Sequence, residues 1–220
     1  VSRKRSTPSD AVIKTLKPKS VNQADYLRSI CENIITIGEG CSGNGKTMLG
    51  IYMACNHLLE GKINNIMVSR SIIGCGKDLG ALPGSVDERT EIYFRPHIEY
   101  FEYFLGREKS KELMRTGIIS LLPIEILRGN TFVDTTMILD EAQNCSIQQL
   151  RLFLSRIGHG SNIIMMGDSD QSDTSYNAFK YCVDHLSELD NVGVIKFGYQ
   201  DIQRHPIIGP VLEKLKNVGN

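Results

Sequence analysis

Five short apolar runs punctuate the 220-residue chain: residues 34–37 (IITI), 65–69 (NIMVS), 136–139 (TMIL), 162–166 (NIIMM) and 191–196 (NVGVIK). Their apolar positions are mostly successive rather than alternate, the pattern of strands buried on both faces. Between them lie stretches with helical spacing. Residues 22–32 place Ala24, Leu27, Ile30 and Cys31 on one face, and residues 47–59, 146–157 and 175–189 read as further helices. Strand–helix alternation of this kind predicts an α/β fold, a parallel sheet with helices on both faces.

One stretch breaks the rhythm. Residues 71–130 separate the second strand from the next strong one by more than a crossover requires. They hold a glycine-rich segment (72–84), an aromatic helix over 91–105 with Ile98, Phe101 and Phe104 in register, and a short strand at 118–121. We read this as an insertion after the second core strand, within a single domain over 21–220. Residues 1–20 form a separate arm.

Composition narrows the class. At 41% hydrophobic and 23% charged, the chain is neither disordered, collagen-like nor a coiled coil. No apolar stretch reaches the 18 or so residues of a membrane span, and the opening residues lack the apolar core of a signal peptide. A first residue of Val rather than Met reads as a trimmed start, and the expected location is the cytoplasm. Six cysteines without a C-x-x-C pair read as free thiols there. Five histidines show no metal-ligand spacing and read as structural or surface groups.

The 25 basic and 25 acidic side chains cancel, which argues against a phosphate-rich partner, but they are unevenly placed. The first 20 residues hold six basic groups and one acid, on a body with 19 basic and 24 acidic. Such an arm either contacts phosphates or is a solvated terminus.

Residues 40–47, Gly-Cys-Ser-Gly-Asn-Gly-Lys-Thr, complete a G-x-x-x-x-G-K-T between a strand and a helix. Glycines at Gly40, Gly43 and Gly45 let backbone N–H groups, with those of Ser42 and Asn44, curl around phosphate oxygens. Lys46 then reaches the β- and γ-phosphates, and the Thr47 hydroxyl ligates Mg²⁺. At the end of the third long apolar run, Asp140 would hold the same Mg²⁺, and Glu141 would polarise the attacking water. After the fourth run, Gly167-Asp168-Ser169-Asp170-Gln171 either senses the γ-phosphate through Gln171 or forms a polar turn capping the next helix, as Asp173 also could.

The motifs Gly-x-Gly-Lys-Thr, ILDEAQN (138–144) and Gly-Asp-x-x-Gln, in that order, resemble superfamily 1 helicases. Residues 79–84 (LGALPG), Arg95-Pro96, 127–131 (LRGNT), 153–158 (FLSRIG) and Arg204-His205-Pro206 narrow the resemblance to the PhoH-like, phosphate-starvation-inducible ATPases, over about residues 20–210. It implies one RecA-like core that uses ATP and Mg²⁺, a ring-shaped homo-oligomer, hexameric in expectation, and RNA or single-stranded DNA as partner. By the same resemblance Gln23 reads adenine, Arg70 lies where helicases touch nucleic acid, and Arg204 and Arg156 are arginine-finger candidates. Helicases supply that arginine from a second RecA domain, so a neighbouring subunit is expected to present it here. Arg70, Lys77, Arg89, Arg95 and Tyr93 offer a basic, aromatic track for a single strand. Where the family usually has Pro-Ala, this chain has Cys41-Ser42, whose side chains should point away from the phosphates. Neither a PIN nuclease nor a KH segment is present in the 220 residues. Two other readings stay open: a nucleotide-gated switch or scaffold that unwinds nothing, and a kinase, which Glu141 argues against.

Overall fold

The computed structural model describes residues 13–71, 86–171 and 177–215. The arm up to residue 12, the glycine-rich segment 72–84 with Lys77, and Asp173 lie outside the described residues, as does the side chain of Arg89.

The five apolar runs and the short strand expected at 118–121 become β1 (Ile35–Glu39), β2 (Asn65–Arg70), β3 (Ile119–Pro123), β4 (Thr135–Leu139), β5 (Asn162–Gly167) and β6 (Val192–Lys196). They form one parallel sheet in the order β3-β2-β4-β5-β1-β6. Successive side chains point to opposite faces of a strand, and here both faces are covered. Ile66, Val68, Ile138, Ile164 and Met166 face one apolar cluster, while Met67, Met137, Leu139, Ile163 and Met165 face the other. This explains why the runs are continuous rather than alternating.

The first face packs against α1 (Val21–Glu32), α2 (Lys46–Leu59), α3 (Val86–Leu105) and α4 (Arg107–Arg115), the second against α5 (Ile147–Leu154) and α6 (Ala178–Leu186). Local chemistry sets the helix ends. The Ser20 hydroxyl accepts from Gln23 N–H to start α1, and Ser146 and Gln149 form a reciprocal capping box on α5. Helix α5 ends at Leu154, short of the expected 157.

Two helices have no counterpart in the sequence reading. Polar α4 buries only Ser110 and Leu113, and α7 (Ile208–Leu215) has no buried residue. The stretch read as an insertion supplies α3, α4 and the edge strand β3, which pairs with β2 from Ile66 to Arg70. On α3, Phe101 and Phe104 face the core as expected, joined by Phe94 and His97, whereas Ile98 is only half-buried.

Candidate active site

In a parallel sheet the loops leaving the carboxyl ends of the strands share one edge, and ligands bind there. The loops after β1, β4, β5 and β6 meet at this edge around a cavity of about 330 Å³. Its lining includes residues 42–48, Tyr100, Asp140, Glu141, Asp168, Gln171 and Arg204. The expected phosphate loop, both acidic motifs and one arginine candidate are therefore brought together.

The loop after β1 curls because Gly40, Gly43 and Gly45 take φ values of 144°, 94° and 87°, a region that side chains with a Cβ avoid. Lys46, the first residue of α2, is 8% exposed and directs its Nζ to Gly40 O (2.5 Å), Cys41 O (2.9 Å) and Asn44 Oδ1 (3.1 Å). Burial pushes its ammonium below the ordinary value, while Asp168 and Asp140 pull it back up. Cys41 lines an adjoining hollow, and Ser42 is among the residues around the cavity itself.

Thr47 Oγ1 donates to Asp140 Oδ2 at 3.1 Å, joining the two expected magnesium residues. Asp140 Oδ1 accepts from Glu141 N–H at 3.0 Å. Burial alone would raise the Asp140 carboxyl, but hydrogen bonds from His97 and Glu141 N–H, with Arg70 nearby, hold it below the ordinary carboxylate range. One hydroxyl and one ionised carboxylate suit Mg²⁺, which keeps most of its waters and takes few protein ligands beside phosphate oxygens. Because the Thr47 hydrogen is directed to Asp140, the hydroxyl's lone pairs remain for the ion. The residues present therefore fit Mg²⁺.

Glu141 follows in the left-handed region, φ 53° and ψ 40°, a conformation that costs a non-glycine residue about 1–2 kcal/mol. Such strain is characteristic of functional positions. Gln143, 3% exposed, donates from Nε2 to Glu141 Oε2 at 2.6 Å and accepts from Asp168 N–H at 3.1 Å. One carboxamide thus ties the acid after β4 to the turn after β5. Gln171 is exposed on the cavity wall, its N–H bonded to Asp168 O.

The two arginine candidates part company. The loop after β6 folds back over the phosphate loop: Gln203 N–H donates to Gly43 O at 2.9 Å, and a Cβ on Gly43 would lie 3.0 Å from Arg204 Cδ and Nε. Asp201, buried, braces this loop by accepting from Gly198 N–H and Asn22. Arg204 therefore lines the cavity of its own chain. Arg156 donates to Ser155 Oγ and Asn130 O beside the bridge from Phe132 to Ile157, at the edge where β4 and β5 begin. It is remote from the cavity of its own chain.

Gln23 does not line the cavity either. It is 3% exposed, accepts from Lys19 N–H and donates to Asn44 O at 2.9 Å. Its amide is a tether for the phosphate loop, so adenine reading would compete with two existing bonds. Arg70 donates to Tyr93 O at 2.9 Å.

The sequence reading passed over His97, Tyr100, Gln143 and Gln203. Gln143 stood within a quoted motif without a role, and Tyr100 and His97 sat on a helix read for Ile98, Phe101 and Phe104 and for Tyr93 and Arg95. Gln203 carried no signal, because it acts through its backbone.

Known proteins place this geometry in a family. The family model for PhoH-like proteins matches residues 15–216. A PhoH-like protein of Bacillus subtilis (strain 168) is 33% identical over 203 residues, covering 91% of this chain and 64% of that protein. Protein PhoH of Escherichia coli (strain K12) is 32% identical over 187 residues, 83% of this chain and 53% of that one. The chain thus spans between half and two thirds of the length of these curated relatives. Among solved structures, a large terminase from a thermophilic bacteriophage superposes with a TM-score of 0.60 at 14% identity, over 90% of this chain and 50% of that one. The same terminase in complex with ADP gives 0.52 at 13% identity, covering 89% and 50%. These structural likenesses show a shared fold. Given the family match over almost the whole chain and relatives at about one-third identity, this chain belongs to the PhoH-like protein family, with a RecA-like P-loop fold.

Proposed function

We propose that this chain is a Mg²⁺-dependent ATPase. The observation that carries the reading is the Thr47–Asp140 hydrogen bond beside the phosphate loop, since a hydroxyl and a carboxylate joined there serve a magnesium–triphosphate. When bound, Mg²⁺ would neutralise phosphate charge, held by Thr47 and Asp140. Loop N–H groups and Lys46 bind the phosphates, with Lys46 exchanging its carbonyl contacts for phosphate oxygens. Glu141 takes the proton of the attacking water, Gln143 holds Glu141 in place, and Gln171 orients the water or the γ-phosphate. Arg204 supplies positive charge to the transition state from the same chain. The terminase bound to ADP supports a nucleotide in a cavity of this fold.

Coupling to RNA or single-stranded DNA, and assembly into a homo-oligomeric ring, form the finer part of the proposal. They rest on the family and on the contact of Arg70 with Tyr93 at the end of β2. Phosphate release is to be measured with and without single-stranded RNA and DNA, with subunit mass measured in parallel. Stimulation of at least several-fold by one nucleic acid, absent in Lys46→Ala, is the expected result. Turnover indifferent to both would favour a nucleotide-gated switch, and a requirement for a hydroxyl acceptor would favour a kinase.

A further inference from the structure

His97 sits where the fold calls for an apolar residue. It is 1% exposed on the core face of α3, among Phe94, Phe101 and Phe104, with its ring 5.6 Å from that of Phe94. Its Nε2 lies 2.9 Å from Asp140 Oδ2, the oxygen that also accepts from Thr47. Its Nδ1 is buried and has no hydrogen-bond partner among the described residues. The network assigns the tautomer: a hydrogen on Nδ1 alone would strand a buried donor and turn an Nε2 lone pair against a carboxylate. The hydrogen is therefore on Nε2, donated to Asp140. A leucine here would pack among the phenylalanines without leaving a polar atom unpaired, so the compensation for Nδ1 must come from Asp140.

We propose that His97 is a positioning residue for the magnesium centre, fixing the rotation of the Asp140 carboxylate and so setting how strongly Mg²⁺ and nucleotide bind together. This rests on the reading of Thr47 and Asp140 as the Mg²⁺-holding pair. A carboxylate turns easily about its last torsion. Glu141 N–H and Thr47 both restrain it, but the Thr47 hydroxyl must itself adjust to the ion. His97 restrains it from outside the phosphate loop, on a helix anchored in the core. Partners that orient metal-bound groups typically change metal affinity about 10- to 100-fold when removed. The assignment also makes α3 part of the site, because the same helix places Tyr100 in the cavity wall.

The test uses a fluorescent, non-hydrolysable ATP analogue, with affinity measured in Mg²⁺ and in EDTA. The ratio of the two constants reports the contribution of the ion. His97→Leu keeps the volume and removes the donor, while His97→Gln can place its Nε2 near the position of the imidazole nitrogen. Leu should lower the ratio about tenfold or more, with the EDTA constant within about twofold of the parent, and Gln should restore most of it. Melting curves confirm folding; if Leu does not fold, the pliant His97→Met replaces it. A folded apolar variant with the parent's ratio overturns the proposal. So does equal loss in Gln, which would make His97 a packing residue. A parent with no Mg²⁺ enhancement at all would instead bring down the magnesium reading beneath it.

Discussion

Replacing Gln143 with Leu tests whether the bridge between the two acidic motifs places Glu141 for catalysis. The side chain is 3% exposed and makes two bonds. Leucine fills nearly the same volume and makes neither. Loss of the bond to the Glu141 carboxylate costs about 2 kcal/mol, and the buried Asp168 N–H left without its acceptor about 1–2 more. The apolar gain of leucine offsets about 1 kcal/mol. A net loss of about 2–3 kcal/mol lowers the melting temperature by about 4–12 °C in a chain of this size. Released from its partner, Glu141 swings from its place, and a displacement of about 1 Å costs roughly 10²-fold in rate. Phosphate release under saturating Mg²⁺·ATP should therefore fall about 100-fold, with nucleotide affinity within about twofold, because Lys46 and the loop are untouched. The reasoning is refuted by a variant that melts lower yet turns over within about twofold of the parent. It is equally refuted by one that loses nucleotide affinity in proportion to rate.

Other perturbations separate the remaining roles. Glu141→Gln keeps a hydrogen-bonding group beside Gln143 but removes the base, so phosphate release should drop by at least about 10²-fold while Mg²⁺·ATP binding persists. Arg204→Ala should lose activity on the order of 10³-fold. Because Arg204 lines its own chain's cavity, mixing it with Lys46→Ala should restore nothing, whereas recovery in the mixture would mean that the guanidinium crosses between subunits. His57 lies buried near the end of α2, and burial, with Lys62, lowers its pKa. The unfolded chain, with an imidazole near pH 6.5, therefore takes up a proton first as pH falls. Folded stability should be fully present above that pH and decline as pH drops toward the lower folded value. His57→Gln should flatten this slope in urea titrations between about pH 7 and 5, and an unchanged slope would contradict it.

How much of this was legible beforehand followed from the kind of force involved. The strands were visible because Ile66 through Val68 and Ile163 through Met166 are apolar on both faces, a signature only a doubly covered sheet needs. Thr47 and Asp140 were visible as a pair because a nucleotide site demands those residue types after those strands. Helix α4 was not, since its sequence REKSKELMR offers only two adjacent apolar residues, Leu113 and Met114, too few to show a helical period, and is held by what it leans on. On α3 the burial of Phe101 and Phe104 was legible, but Ile98 is the better apolar candidate than His97, and only the position of Asp140 gives a buried histidine its reason. The side of the molecule from which Arg204 approaches is likewise tertiary: it depends on Gln203 reaching Gly43, 160 positions earlier in the chain. The bond from the Gln23 amide to the phosphate loop was also not legible, because it joins positions 21 residues apart through a backbone carbonyl.

The central claim is that the cavity at the carboxyl edge of the sheet binds and cleaves a magnesium–nucleotide. Steady-state phosphate release from ATP by the parent in Mg²⁺, in EDTA, and by Lys46→Ala in Mg²⁺ tests it most directly. The account predicts turnover that requires Mg²⁺ and falls at least about 100-fold in Lys46→Ala, whose phosphate contacts are gone. Turnover that survives in EDTA or in Lys46→Ala, or a folded parent that releases no phosphate and binds no ATP, would contradict it.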